Sequence, residues 1–313
     1  MANLRTGWES TEKNPDEDFL KKQIQEENKI FEQNIALSAE ASRQKTANIS
    51  MLLESTGIKK DIIEKQLKYD AERSVKVIKD AEKSLLKPTM DIETMHKQDI
   101  EQARMIAKKM KSPGNPHWQG YIWNASYGGA WWNWNGEGEE VPSVTFDVAN
   151  NRIDPRTQAF GEGWWDADFS KINAYLSFRF TPPSWGHLHI ITSPWLHGYY
   201  SLYSNDAWYK GEHAKADLDT WVDVHQNFWR SRSTNDVFYM SGDELHPTRS
   251  DRIDRQSTMR YYTSVGEGDP VTIRVGAQLY CRGKASGGQA RLNFQSGGAN
   301  YIYAPYVYWY LHN

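Results

Sequence analysis

Along the first third of the chain, apolar residues return every three or four positions; along the rest they return every two. From about Asp16 to Ser55, Leu20, Ile24, Phe31, Ile35, Ala39, Ile49 and Leu52 keep helical spacing, with polar Ser42 and Thr46 on the same stripe. Thr56-Gly57 interrupts this pattern. It resumes from Ile58 to Leu86 with Ile63, Leu67, Ala71, Val75, Ile78 and Leu85, until Lys87-Pro88 stops it. A third segment, Asp91 to Lys111, carries Ile92, Met95, Ala103, Ile106 and Met110.

These spacings predict three helices over 16–111, behind a flexible polar arm at 1–15. The stripes are thin and rich in alanine, so the helices need a partner surface to be stable. That surface is another helix in a hairpin, the remainder of the chain, or a second copy in a coiled coil. Ser112-Pro113-Gly114-Asn115-Pro116 cannot continue a helix and marks a linker over 112–117.

Beyond it the period is two. Ile172, Ala174, Leu176, Phe178 and Phe180 alternate with Asn173, Tyr175, Ser177 and Arg179. Ala216 to Val224 alternate with Asp217, Asp219, Trp221 and Asp223, and Val271 to Cys281 with Thr272, Arg274, Gln278 and Tyr280. Each reads as a strand with one wet face. With shorter runs at Tyr121–Trp123, Val144–Val148, Leu188–Thr192, Val237–Met240, Met259–Thr263, Arg291–Phe294 and Tyr306–Leu311, about ten strands are expected. The predicted fold class is α+β with segregated halves: a helical hairpin or coiled-coil segment for assembly or docking, then an antiparallel, jelly-roll-like β-sandwich over 118–313.

Composition deepens this division. Of 14 Trp and 17 Tyr, only Trp8 and Tyr69 precede residue 115. The net charge of −3 offers no basic surface for nucleic acid. No apolar run is long enough to span a bilayer, and the start has no apolar leader core, so synthesis in the cytoplasm is expected, with lysis or a dedicated machine as the route outward. One cysteine, Cys281, excludes an internal disulfide and falls on the apolar phase of its strand, as an inert core thiol does.

The candidate chemistry is one of binding. Trp131, Trp132, Asn133 and Trp134 follow a Gly/Asn-rich stretch, and Trp164 and Trp165 lie close by in sequence. A loop of this kind can lay flat apolar rings beside amides, as stacking on a sugar requires, and can also anchor a protein interface or simply fill a core. These six residues are the expected ligand site. His187 and His189 share a strand face at a spacing that can chelate Zn²⁺, and Asp166, Asp168, Asp217, Asp219, Asp223 and His225 are oxygen-rich candidates for Ca²⁺; a solvated strand face explains both sets more simply. Asp219 and Asp223 have the residue types of a glycoside-hydrolysing pair, but nothing in the sequence shows a cleft or a raised pKa, so they are not counted as a catalytic site. Nucleophile elbows, phosphate loops, dinucleotide fingerprints and zinc-protease motifs are absent.

The expectation is therefore a non-enzymatic binding or assembly protein without cofactor or resident metal. It forms a homo-oligomer or joins a larger, phage-like or secreted particle, and recognises a glycan or protein. The alternatives are a toxin or pore-forming component, disfavoured by the narrow, charge-rich stripes, and a shell or fibre subunit.

Overall fold

The computed structural model describes residues 4–11, 17–86, 90–110, 114, 116–136, 141–164, 166–205, 211, 213–295 and 299–312. Trp165 and half of the expected linker, at 112, 113 and 115, lie outside these residues. In chain order the elements are β1 (Arg5–Ser10), α1 (Glu17–Ser55), α2 (Lys60–Leu85), α3 (Ile92–Lys109), β2 (Trp118–Ile122), β3 (Tyr127–Trp134), β4 (Ser143–Asp147), β5 (Arg152–Phe160), β6 (Ala167–Phe180), β7 (Gly186–Thr192), β8 (Trp195–Asn205), β9 (His213–Gln226), β10 (Phe228–Gly242), β11 (Glu244–Gln256), β12 (Met259–Val265), β13 (Val271–Lys284), β14 (Gln289–Asn293), β15 (Tyr301–Tyr303) and β16 (Val307–His312).

The strands form three antiparallel sheets. Sheet one runs β1-β3-β6-β13-β9-β10; sheet two runs β11-β8-β14-β5-β15 with β4 beside β5; sheet three runs β12-β7-β16-β2. The inward phases pack into one core. Ile172, Leu176, Leu218, Val222, Val275 and Leu279 come from sheet one, Ile153, Leu202 and Leu292 from sheet two, and Leu188, Ile190, Val307 and Leu311 from sheet three. The protein is thus α+β with an antiparallel β-sandwich. Cys281 sits in this core with its Sγ 3.6 Å from the Thr157 carbonyl, and burial pushes its thiol far above the ordinary range.

Two expectations about the N-terminal third change. Residues 5–10 are a strand, where an arm is predicted. They pair with β3, Trp8 opposite Trp131, and Gly7 leaves room for the ring of Trp132, which a Cβ there would approach to 2.4 Å. The helices, in turn, dock on the sandwich of their own chain. α1 crosses the outer face of sheet one. α2 lies on sheet two, where Gln289 Nε2 donates to Ser74 Oγ and Arg291 donates to the buried Glu82. Ala103 and Ala107 of α3 cover Tyr306, Tyr308 and Tyr310, and the Tyr121 hydroxyl donates to the Ala107 carbonyl. The end of α1 and the start of α2 meet at Leu53, Ile63 and Leu67, packed around Trp164.

α3 is also held by a charged latch. His197 of β8 places Nε2 3.1 Å from Asp99 of α3 and Nδ1 3.0 Å from Asp254 of β11, while the Tyr301 hydroxyl donates to the same Asp99 oxygen at 2.6 Å. Burial works against a charged His197, but the hydrogen bonds to Asp254 and Asp99 outweigh it, and its pKa lies above the usual 6.5. Burial likewise works against a charged Asp254, yet hydrogen bonds from His197 and Arg252 bring its pKa down to about 2.

Glycine and aromatic residues meet by design of register. Gly129 faces Tyr175 and Gly276 faces Trp221 across neighbouring strands, so each ring lies flat over a residue with no side chain. A Cβ on Gly276 would lie 2.5 Å from Trp221 Cζ2 and 2.6 Å from the Ala174 carbonyl oxygen. Gly276→Ala is expected to destabilise the protein by about 1–3 kcal/mol, read by urea unfolding.

The latch sets a pH dependence. His197, with its raised folded pKa, contributes fully below the unfolded value of about 6.5 and loses its contribution as pH rises through the folded value. Asp254 contributes above its unfolded value of about 3.8 and loses its contribution as pH falls toward 2. Amide protection in α3 is therefore expected to be greatest between about pH 4 and 6.5 and to fall on the alkaline side, and His197→Asn should remove that alkaline decline in hydrogen exchange.

Candidate functional site

The outer face of sheet one, read by the polar phase of its strands, is the part of the molecule built least like a passive surface. Across adjacent strands, Trp8, Trp131, Asn173, Gln278, Asp219 and Asp236 form one row, and Gly129, Tyr175, Gly276, Trp221 and Thr234 form the next. The sequence predicts this face to be wet. Instead Asn173, Tyr175, Trp221, Asp223 and Arg274 are almost fully buried, because the rings lie flat over glycines and the first half of α1 lies on top.

The floor beneath α1 is aromatic and charged at once. Tyr127, Trp131, Tyr175 and Trp221 pack together with Trp8 and Ile24 against them. Arg274 donates from Nε and Nη2 to the two Asp223 carboxylate oxygens at 2.7 and 2.9 Å. The Arg232 guanidinium stacks 4.1 Å from the centre of the Trp221 ring and lies 3.7 Å from Glu27 of α1. Glu27 also accepts from Trp131 Nε1 at 3.3 Å, and Asn28 accepts from Asn133 Nδ2 at 2.7 Å. Among the described residues, Asn133 Oδ1, Asn173 Oδ1, Ser177 Oγ and Trp221 Nε1 are buried on this face without a hydrogen-bond partner. Burial pulls the Lys171 ammonium below its usual pKa, a shift that Glu27 opposes.

Further along α1, helix and sheet together line a partly open cavity of about 600 Å³. On the helix side are Phe31, Ile35, Ser38 and Arg43; on the sheet side, Asn135, Asp168, Phe169, Tyr280 and Arg282, with Arg5 and Glu162 at the margins. Phe31 meets Phe169 edge-on at 4.9 Å and Tyr280 at 6.3 Å, and Arg282 donates to Ser38 Oγ at 3.0 Å. The cavity thus joins flat rings to both signs of charge and to amide groups.

The expected site is redistributed. Trp131 to Trp134 are on β3, not in a loop: the flanking glycines serve rings from other strands, so the segment keeps an unbroken ladder with β1 and β6. Trp131 and Asn133 are buried under α1, and Trp132 packs into the main core. Trp164 is the buried centre of the α1–α2 corner. None of these four lines the cavity. The residues that do were legible only as fragments: Phe31 as the large aromatic of the α1 stripe, Tyr280 as the polar-phase member of β13.

The oxygen-rich candidates separate too. Asp166 and Asp168 line the cavity, and Asp223 is committed to Arg274. Asp217 and Asp219 approach Asp236 of β10, with all three ligand atoms within 4.8 Å of one another. Burial, then the neighbouring Asp217 and Asp236, raise the Asp219 pKa to about 6. Three carboxylates fall short of the six to eight oxygens Ca²⁺ prefers. Asp219 and Asp223, not counted as a catalytic site from the sequence, form no hydrolytic pair here, since the Asp223 carboxylate is fully buried and held in a bidentate ion pair.

No family model and no curated protein matches the chain. Among solved structures it is similar to a carbohydrate-binding module from Cellvibrio mixtus lichenase 5A in complex with cellotriose, at 9% identity over 64% of this chain and 100% of that one, with a TM-score of 0.17. It is also similar to TmCBM27, a mannan-recognising carbohydrate-binding module, at 11% identity over 58% and 89% with a TM-score of 0.17. An isomalto-dextranase from Arthrobacter globiformis T6 complexed with panose is 11% identical over 65% of this chain and 38% of that one, with a TM-score of 0.16. Scores this low assign no ligand to the chain.

The buried pair beneath α1 is testable directly. Asp223→Ala strands Arg274 without its counter-charge and is expected to cost about 3–5 kcal/mol in chemical unfolding. Asp236→Ala, at an exposed position of the same face, should stay within about 0.5 kcal/mol of the wild type.

Proposed function

We propose that the protein is a non-catalytic binding protein that takes a saccharide in the cavity between α1 and sheet one. The observation that carries this reading is the cavity lining itself: the rings of Phe31, Phe169 and Tyr280 beside Asn135, Asp168 and Arg282. A sugar presents a flat C–H face and a rim of hydroxyls that both donate and accept, so it needs stacking rings flanked by donors and acceptors. The volume of about 600 Å³ suits a short oligosaccharide and lies within the usual range of ligand sites.

Membership of a homo-oligomer is the second part of the proposal. Ile30, Leu37 and Met51 stand outward on α1, each more than half exposed, at multiples of seven residues. They mark one position of a heptad, interrupted by Gln44, and a second copy of α1 is the occupant we assign to this exposed line. Light scattering should report a dimer or higher species that Leu37→Glu converts to monomer; a wild-type monomer at micromolar concentration removes the assembly part and leaves the cavity reading intact.

For the cavity, a glycan array with the wild type beside Tyr280→Ala and Arg282→Ala is decisive. Binding is expected to fall tenfold or more in both folded variants, about 1.4 kcal/mol or more each. Unchanged glycan binding in both, or no glycan bound by the wild type, rejects the reading.

A further inference from the structure

Away from α1, the outer face of sheet three gathers histidines from strands far apart in sequence. His187 and His189 are two apart on β7 and so share a face. In the antiparallel register His312 of β16 stands directly opposite His187, and Tyr310 opposite His189. Directly opposed residues hold their Cβ atoms about 4.5–5.5 Å apart, and diagonal ones about 7–8 Å. The His189 and His312 rings meet at right angles with centroids 5.7 Å apart.

The backbone at this corner is tightly fixed. A Cβ on Gly186 would lie 2.4 Å from the His312 carbonyl oxygen, so β7 and β16 are pressed together where the histidines project. His117 directly precedes Trp118, the first residue of β2, which pairs with Leu311, so a fourth histidine lies next in sequence to the end of β2 nearest His312. All four are at least partly accessible to solvent.

We infer that this corner is a transition-metal site in which His187, His189 and His312 supply three imidazole ligands to Zn²⁺ or a similar borderline divalent ion, leaving a fourth position to water or His117. Three neutral imidazoles suit Zn²⁺ and not Ca²⁺ or Mg²⁺, which take oxygen. As placed, the side chains are splayed and their nitrogens do not yet share one point. His187 turns Nδ1 toward Ser264 Oγ at 3.2 Å, and His189 stacks on Tyr310 at 4.7 Å. The His187 contact is exposed, whereas Tyr310 is buried under α3 and His189 also stacks on Tyr262 at 6.1 Å; the strand register sets the Cβ atoms about 4.5–8 Å apart, a span that imidazoles can bridge to one ion. The inference therefore requires the three imidazoles to rotate toward one point, His189 leaving its stack on Tyr310. The inference is independent of the saccharide reading, because the cavity and this corner share no residue.

The test is a Zn²⁺ titration of the full chain at pH 7.5 after chelator treatment, by calorimetry. Saturable binding of one ion is expected, weakened tenfold or more in each of His189→Ala and His312→Ala. It should be unchanged in Asp217→Asn combined with Asp219→Asn, which removes the acidic group on sheet one. Imidazole Cε1–H signals in NMR should shift for the three ligands on adding Zn²⁺, and far-UV circular dichroism should show both histidine variants folded. The inference fails if no saturable binding occurs, or if the histidine variants bind as the wild type does while the aspartate variant loses affinity.

Discussion

The constraint on which this architecture rests is that the central strands of sheet one, around Trp131, Tyr175 and Trp221, are buried on both faces. Its inner face is ordinary aliphatic core; its outer face carries Trp131, Tyr175 and Trp221 together with the Arg274–Asp223 pair, groups whose burial is tolerable only in mutual contact. α1 completes that enclosure. The same helix has too thin a stripe to be stable alone, so helix and sheet each supply what the other lacks. Glu27 shows the coupling in one residue, since it accepts from Trp131 and faces Arg232.

The other two helices repeat the arrangement with different chemistry. α2 is attached through buried polar groups, Ser74 and Glu82, and α3 through alanines against tyrosines and through Asp99 on His197. Buried polar contacts of this kind define one position for a helix where an alanine-rich stripe allows several. Ser74 and Glu82 do so from positions beside Ile78 on the buried side of α2.

Much of the framework was legible from periodicity, because local spacing dictates local structure. The helix boundaries fall within about two residues of those expected, and the alternating runs around Ile172, Ala216 and Val271 are long strands. β3 was misread because Gly128 and Gly129 resemble loop residues until the strands that cover them are known. β11 was missed because its sequence, from Glu244 to Gln256, is charged and contains Pro247; it is an edge strand, where charge and proline discourage pairing with other chains. The site was illegible for a related reason. Phe31, Phe169 and Tyr280 come together only through the crossing of α1 over the sheet, and Asp99, His197 and Asp254 only through the docking of α3; no spacing along the chain encodes either meeting.

The last strands occupy central places. β14 and β15 lie in succession between β5 and β8, and β16 lies between β7 and β2. Neither sheet two nor sheet three can close until residues 289–312 have left the ribosome. Until then β5, β7 and β8 expose unpaired edges, while α2 and α3 have no finished surface to rest on. Closure of both sheets thereby waits on β14, β15 and β16, and the nascent chain before them, with its long-range pairings outstanding, is the stage at which a chaperone has most to shield.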